Sequence, residues 1–259
     1  MTVARPLKFR ASARPLPGPL VHLDTVTSTN DHARALASTG APGGTVVVAE
    51  VQTAGRGRQG RTWVAPRGSG LALSLLHRPG ESGSTRSAAY LPFAAAVAVS
   101  EACEGVSAVK CQIKWPNDVL VGGRKIAGIL IESRPADGWA VIGIGLNVDT
   151  REEHLGPDLS SSATSLRIET GGRVDRNLVL DALLDALAAR LGCEQGLEDV
   201  LAAYRQRDAL EGKRVKWTSG GELRRGEAQG VDDDGNLVVL ADGGERLALD
   251  AGEVHLLGA

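Results

Sequence analysis

Cys111–Glu132 reads CQIKWPNDVLVGGRKIAGILIE, and this pattern decides the architecture of the chain. Its β-branched and aliphatic runs predict strands at Cys111–Trp115, Val119–Val121 and Arg124–Glu132. Pro116 confines Trp115 to extended backbone and lacks a ladder donor, so the first strand ends there. Gly122-Gly123 is the two-residue connection of a tight hairpin. Alternation along the third strand places Lys125 on the face of Ala127, Ile129 and Ile131. A lysine heading an apolar face is a snorkelling edge residue or a charge that meets an anion. Gly128, nearby on that strand, allows a ligand to approach the backbone closely.

Outward from this hairpin the chain alternates strands and helices. Gly138 precedes a strand at Trp139–Val148 that holds Gly143, Gly145 and Asn147. Phe93–Ala102, rich in alanine and valine, predicts a buried helix. Gly70–Leu76, Val46–Val51 and Val21–Val26 read as strands. Ser28, with Asp31 three residues on, has the form of a capping box for a short helix striped by Ala33, Leu36 and Ala37. Gly40 stops it. Asp175–Leu191 carries Leu180, Leu183, Leu184, Leu187 and Leu191 at helical spacing, and a shorter helix follows at Leu197–Arg207. Beyond Gly212 come five short strands, Val215–Trp217, Glu222–Val231, Asn236–Ala241, Glu245–Leu249 and Val254–Leu257. Gly220-Gly221, Asp234-Gly235 and Gly243-Gly244 separate them, which suggests a small barrel of SH3-like or OB type. The expected organisation is a loose extension over 1–20, a large domain over 21–211 and a small one over 212–259. Gly80–Ser84 is a short loop, and no internal repeat is present.

Composition narrows the class. The 259 residues are 42% hydrophobic and 23% charged, ordinary for a soluble globular protein. A formal net charge of −2 gives no global basic field for nucleic acid. Cys103, Cys111 and Cys193 show no C-x-x-C spacing, which favours free thiols over a disulfide framework or zinc site. No apolar run would span a membrane, and the proline-broken N-terminus lacks a signal-peptide centre. The expected setting is the cytoplasm, without membrane or nucleic-acid partners. Tryptophan is scarce; Trp139 and Trp217 read as core fillers, whereas Trp63 and Trp115 adjoin motifs.

Gly55–Arg61, GRGRQGR, joins three glycines to Arg56, Arg58 and Arg61. Exposed amides and guanidinium forks suit phosphate or carboxylate oxygens. The string also fits G-x-G-x-x-G, but Thr62-Trp63-Val64-Ala65-Pro66 follows where a dinucleotide site needs a helix. A solvated glycine-rich turn is the competing reading. Its glycines and mutually repelling arginines favour a loop that orders over an anion. Polar residues that a core does not require then gather in four segments: Ser28-Thr29-Asn30, Gln52 with the arginine loop, Lys114–Asp118 with Lys125, and Asn147.

Taken together, VTSTN, GRGRQGRTW, KWPNDVLVGGRKIAGILIES and GIGLNV resemble biotin protein ligases, in order and spacing, from about Val21 to Glu211. The final strands resemble that family's small last domain. The resemblance implies an α+β fold: a central mixed β-sheet with flanking helices, like class II aminoacyl-tRNA synthetases, then an SH3-like β-barrel. It implies ATP and Mg2+ as cofactors, biotin as substrate, and a biotin carboxyl carrier protein domain of acyl-CoA or pyruvate carboxylases as partner. Because the match begins near Val21, it also implies the enzyme-only form, without a helix-turn-helix repressor domain. Carried over by position, Lys125 and Arg58 are the catalytic pair. Ser28, Thr29, Asn30, Gln52, Gly55, Arg56, Gly57, Arg58, Lys125 and Gly128 would bind biotin. Arg58, Arg61, Trp63, Asn117, Lys125 and Asn147 would bind ATP or the adenylate. Asp118 or Asn117 would serve a metal, with a plain structural cap equally open for Asp118. Two other readings stand beside this one: a lipoate or octanoate ligase on the same fold, and a non-enzymatic nucleic-acid-binding protein.

Overall fold

The structure, a computed structural model, describes residues 7, 16, 18–79, 90–156, 159–192 and 196–257. Most of the predicted N-terminal extension, the Gly80–Ser84 loop and Cys193 lie outside them. Seven strands form one mixed sheet: β1 (Leu20–Val26), β2 (Val46–Gln52), β3 (Gly70–His77), β4 (Cys111–Lys114), β5 (Asp118–Val121), β6 (Arg124–Arg134) and β7 (Trp139–Asn147). Their order is β1-β2-β3-β7-β6-β5-β4. Only β1 and β2 run parallel, joined through α1 (Thr29–Ser38); the other neighbours are antiparallel. The decisive stretch folds as expected, with Gly122 and Gly123 at φ 57° and 77° in the hairpin. Positive φ at both positions is what glycine supplies without steric cost.

The two faces of this sheet carry different chemistry. One is apolar: Val46, Val48, Leu71, Leu73, Leu75, Ile129, Ile142, Ile144 and Leu146 are buried in one core with α2 (Leu91–Val106) and α5 (Arg176–Leu191). The predicted leucine stripe of α5 is fully engaged there, each side chain contributing roughly 1.5–3 kcal/mol. The opposite face is covered only in part. Ala33 and Ala37 of α1 pack on Val47, Leu76, Trp139 and Val141, and small residues line much of the remainder. Two short helices, α3 (Glu152–Leu155) and α4 (Leu166–Thr170), add to the expected elements, and α6 (Leu197–Arg205) matches the expected helix at Leu197–Arg207.

A second, antiparallel sheet holds β8 (Arg214–Ser219), β9 (Glu222–Val231), β10 (Leu237–Ala241), β11 (Arg246–Leu249) and β12 (Val254–Leu256), in the order β11-β10-β9-β8-β12. The five predicted strands are present. Among the described residues no ladder joins β11 to β12, so the expected barrel is an open sheet. The first sheet's core cluster continues through Tyr204 and Leu210 into Val215, Trp217, Leu237 and Val239. Trp115 is buried between the sheets and donates from Nε1 to the Gly235 carbonyl at 3.2 Å. Gly235 lies against the Phe93 ring, where an added Cβ would come within 2.7 Å.

One buried ion pair ties α5 to the first sheet. Arg176 Nη2 donates to Glu50 Oε2 at 2.9 Å and Nη1 to the Gly70 carbonyl at 3.0 Å. Glu50 Oε1 also accepts the Leu7 amide at 3.2 Å. Both charged side chains are at most 7% exposed, so removing Arg176 leaves the Glu50 carboxylate in a poorly solvated site with the Leu7 amide and the His22 ring at 3.1 Å but without the guanidinium. Arg176→Met is expected to lower unfolding free energy by about 3–5 kcal/mol in urea titrations. A loss below about 1 kcal/mol, the scale of an exposed pair, would show that water reaches Glu50.

Candidate functional site

The site is a row of small residues across the half-open face. Register places Ala49 opposite Ala72, Ala72 opposite Gly145, Gly145 opposite Gly128, Gly128 opposite Asp118 and Asp118 opposite Lys114. Cross-strand partners share a face, so this row is a shallow trough with alanine and glycine in the middle and charge at one end. The Trp63 indole lies along it. A Cβ on Gly145 would stand 2.3 Å from the indole and one on Gly128 3.3 Å. The indole Nε1 is buried with no hydrogen-bond partner among the described residues.

Lys125 reaches this trough because β6 carries one extra residue. Leu120 is opposite Lys125 but Val119 is opposite Ala127, so Ile126 forms a bulge. The expected alternation therefore fails. Ile126, Ala127 and Ile129 enter the apolar core, whereas Lys125 turns to the other face with Gly128. Its Nζ lies 2.6 Å from Asp118 Oδ1, an ion pair poorly angled for a hydrogen bond, and 5.8 Å from the centre of the Trp63 ring. Lys114 joins the cluster. Burial foremost holds its ammonium below its usual pKa; Lys125 and Arg61 push the same way, against Asp118 and Glu253.

At the other end is a hydrogen-bonding corner. Gln52 Oε1 accepts the Thr29 amide at 2.8 Å and the Thr29 hydroxyl at 3.1 Å. A backbone donor on Oε1 fixes the orientation of the amide and frees Nε2 as a donor beside Gly55. Ser28 is buried at the start of α1 but makes no side-chain capping bond, so the expected capping box does not form. Gln52 caps the Thr29 amide instead, and Asp31 is drawn to Arg56. Asn30 is spent on the protein: Nδ2 donates to Glu132 Oε2 at 2.7 Å, and Oδ1 lies 2.6 Å from the Ser74 hydroxyl. It also lies flat on Gly143, where an added Cβ would stand 2.2 Å from Oδ1.

The arginines of the loop 55–61 do not face one another without partners, as the expected repulsion required. Arg56 spans Asp31 at 2.7 Å and Glu132 at 3.1 Å, which raises its pKa, Asp31 foremost. Arg58 Nη1 donates to Asn117 Oδ1 at 3.3 Å and Nη2 to the Gly252 carbonyl at 3.5 Å. Arg61 pairs with Glu253. Two of the three therefore reach the turn before β12. Gly57 donates its amide to the Arg61 carbonyl at 2.7 Å, and Gln59 takes a positive φ of 55°. Asn117 Nδ2 holds the Ile129 carbonyl at 2.9 Å. Asn147 Nδ2 holds the Thr164 carbonyl at 3.0 Å, fixing the segment that bridges to Lys125.

Among the described residues no three His, Cys, Asp or Glu side chains gather as a metal site. No helix among them is long and apolar enough to cross a membrane. Ser74 and Glu132 complete the site beyond the residues singled out from sequence, and Lys114, Gly143 and Gly145 join it. For Ser74 the signal is a lone serine inside the aliphatic run GLALSLL.

The family model "Biotin/lipoate A/B protein ligase family" matches residues 23–149, and "Biotin protein ligase C terminal domain" matches 212–257. A biotin--[acetyl-CoA-carboxylase] ligase of Mycobacterium tuberculosis is 39% identical over 88% of this chain and 86% of its own length. The ligase of that name from Paracoccus denitrificans is 37% identical over 89% and 98%. The solved Aquifex aeolicus biotin protein ligase in complex with biotin and ATP superposes with a TM-score of 0.79 at 30% identity, covering 92% of this chain and 98% of that one.

Gly145→Ala tests the trough. Its methyl cannot coexist with the indole where it lies, so Trp63 should move into water and tryptophan emission should shift to the red. An unchanged spectrum in a folded variant would place Trp63 elsewhere.

Proposed function

Because this chain belongs to the biotin/lipoate A/B protein ligase family, we propose that it is an ATP-dependent biotin ligase that works along the Gly128–Gly145 trough. It joins biotin to ATP as biotinyl-5′-AMP and passes the biotinyl group to a lysine of a carboxylase carrier protein. The observation that carries the division of labour is the polarity of the trough. A hydrogen-bonding corner stands at one end and cations at the other, with an apolar floor without side-chain bulk between them. Biotin has the same order: a ureido head, an aliphatic chain and a carboxylate. From β2 to β6 is three strand spacings, about 14 Å, the scale of an extended ligand of that size.

Gln52 Nε2 donates to the ureido carbonyl, and the uncommitted Ser28 hydroxyl serves the same ring. The chain crosses Gly145 and Gly128, where any side chain would exclude it. Lys125 then exchanges Asp118 for the carboxylate and the α-phosphate, lowering the repulsion between two anions that must meet. A carboxylate oxygen bonds to the α-phosphorus, and the bond to pyrophosphate breaks. Arg58 and Arg61 exchange their Asn117 and Glu253 contacts for phosphate oxygens as charge develops there. Asp118 would hold Mg2+ together with the nucleotide's own phosphates, and the ion would supply further neutralisation when bound. Trp63 gives up the floor and lies over the adenylate, shielding the anhydride from water. The carrier lysine finally attacks the biotinyl carbonyl, forming the amide as AMP leaves. Acyl-CoA and pyruvate carboxylases are the carriers expected, and the cytoplasm the setting.

Incubation with ATP, Mg2+ and equimolar biotin, lipoate and octanoate should yield biotinyl-5′-AMP alone by mass spectrometry. Preferential lipoyl- or octanoyl-AMP would replace the substrate assignment. Lys125→Ala should leave the fold intact and slow adenylate formation by about 10²-fold or more, the scale of a lost transition-state contact. A wild-type rate in that variant would remove Lys125 from the chemistry.

A further inference from the structure

Glu132 has no role in the mechanism above, yet its carboxylate joins three parts of the site. It stands on the trough face of β6, beyond Leu130, and its side chain is 25% exposed. Oε2 accepts from Asn30 Nδ2 at 2.7 Å, at the start of α1 beside Ser28 and Thr29. Both oxygens lie 3.1 Å from Arg56 Nη2, in the arginine loop. Arg34 approaches Oε1 at 3.3 Å, and Asp31 takes the other edge of Arg56.

We propose that Glu132 is a positioning residue that couples the arginine loop to the biotin-recognition corner; this rests on the biotin-ligase reading. Asn30 Nδ2 donates to Glu132 at 2.7 Å and, at 3.4 Å, to the Leu130 carbonyl, and with Nδ2 held there Oδ1 faces Ser74. That orientation takes the single Ser74 proton, so Ser74 Oγ is left to accept from the Thr29 hydroxyl at 2.8 Å, while the Thr29 amide holds Gln52 Oε1 at 2.8 Å. The chain of contacts therefore runs from Arg56 through Glu132, Asn30 and Ser74 to Thr29, whose backbone amide holds the Gln52 side chain. Donors point one way along it, towards a carboxylate that only accepts. A glutamine at 132 breaks the chain: its NH2 must face either Arg56 or Asn30 Nδ2, donor against donor. Loop placement and recognition of the ureido ring are then no longer linked.

The test is adenylate formation by wild type, Glu132→Gln, Arg56→Met and the double variant, with biotin and ATP varied separately. Glu132→Gln should raise KM for biotin about tenfold, the scale of one lost charge-assisted hydrogen bond, with KM for ATP within twofold. General loosening of the fold would raise both. The double variant should be no worse than the worse single, because both remove one connection. The coupling is overturned if Glu132→Gln keeps the wild-type KM for biotin, if both KM values rise alike, or if the two substitutions act additively. Should Glu132→Gln fail to fold, Arg56→Met decides alone, since its guanidinium is 39% exposed and its loss leaves no apolar void; an unchanged KM for biotin there overturns the coupling. A wild-type enzyme that makes no biotinyl-AMP defeats the ligase reading instead.

Discussion

One extra residue in β6 decides which side of the sheet does chemistry. Without the bulge at Ile126, Lys125 would project with Ala127 and Ile129 into the core beneath α2. An ammonium there would face several kcal/mol of desolvation with no carboxylate to meet it. With the bulge, two consecutive apolar residues fill the core and the lysine faces Asp118 across the hairpin. The rest of the trough then follows from register. Every residue opposite Gly128 along the row shares its face, and those at the centre are small enough for a ligand to lie on the backbone.

Before any substrate arrives, Arg56, Arg58 and Arg61 each hold a protein acceptor, and Lys125 holds Asp118. Such contacts are weak where they are exposed, so a phosphate or carboxylate that offers better geometry can displace them at small cost. Glu253 and Gly252 supply two of these acceptors from the second sheet. That sheet is thus both part of the continuous core and a partner of the loop over the site, through Trp115 on one side and Arg58 and Arg61 on the other.

The strands and major helices were legible in the sequence because each carries its own period and punctuation: the Gly122-Gly123 turn, the leucine stripe of α5, the glycines between β8 and β11. The facing of Lys125 was not, since a bulge leaves no mark in a run of aliphatic residues and alternation assigns the wrong side. The capping box at Ser28 had the right letters, but Gln52, 23 residues away, offers the Thr29 amide a better acceptor and Arg56 takes Asp31. The missing barrel closure has the same origin, as strand spacing says nothing about whether edges meet. The motif residues themselves were legible as a set, from Ser28 to Asn147. Which of them face a ligand and which brace their neighbours was not, because Asn30, Asn117 and Asn147 differ only in the partners that tertiary structure brings to them.

The most direct measurement is a crystal structure with a non-hydrolysable biotinyl-adenylate analogue. The ligand should lie on the Gly128 and Gly145 backbone, with its ureido carbonyl at Gln52 Nε2, its phosphoryl group at Lys125, and the Trp63 indole lifted from the floor to cover it. A ligand bound away from this strip, or an indole still resting on Gly145 beneath it, would contradict the account.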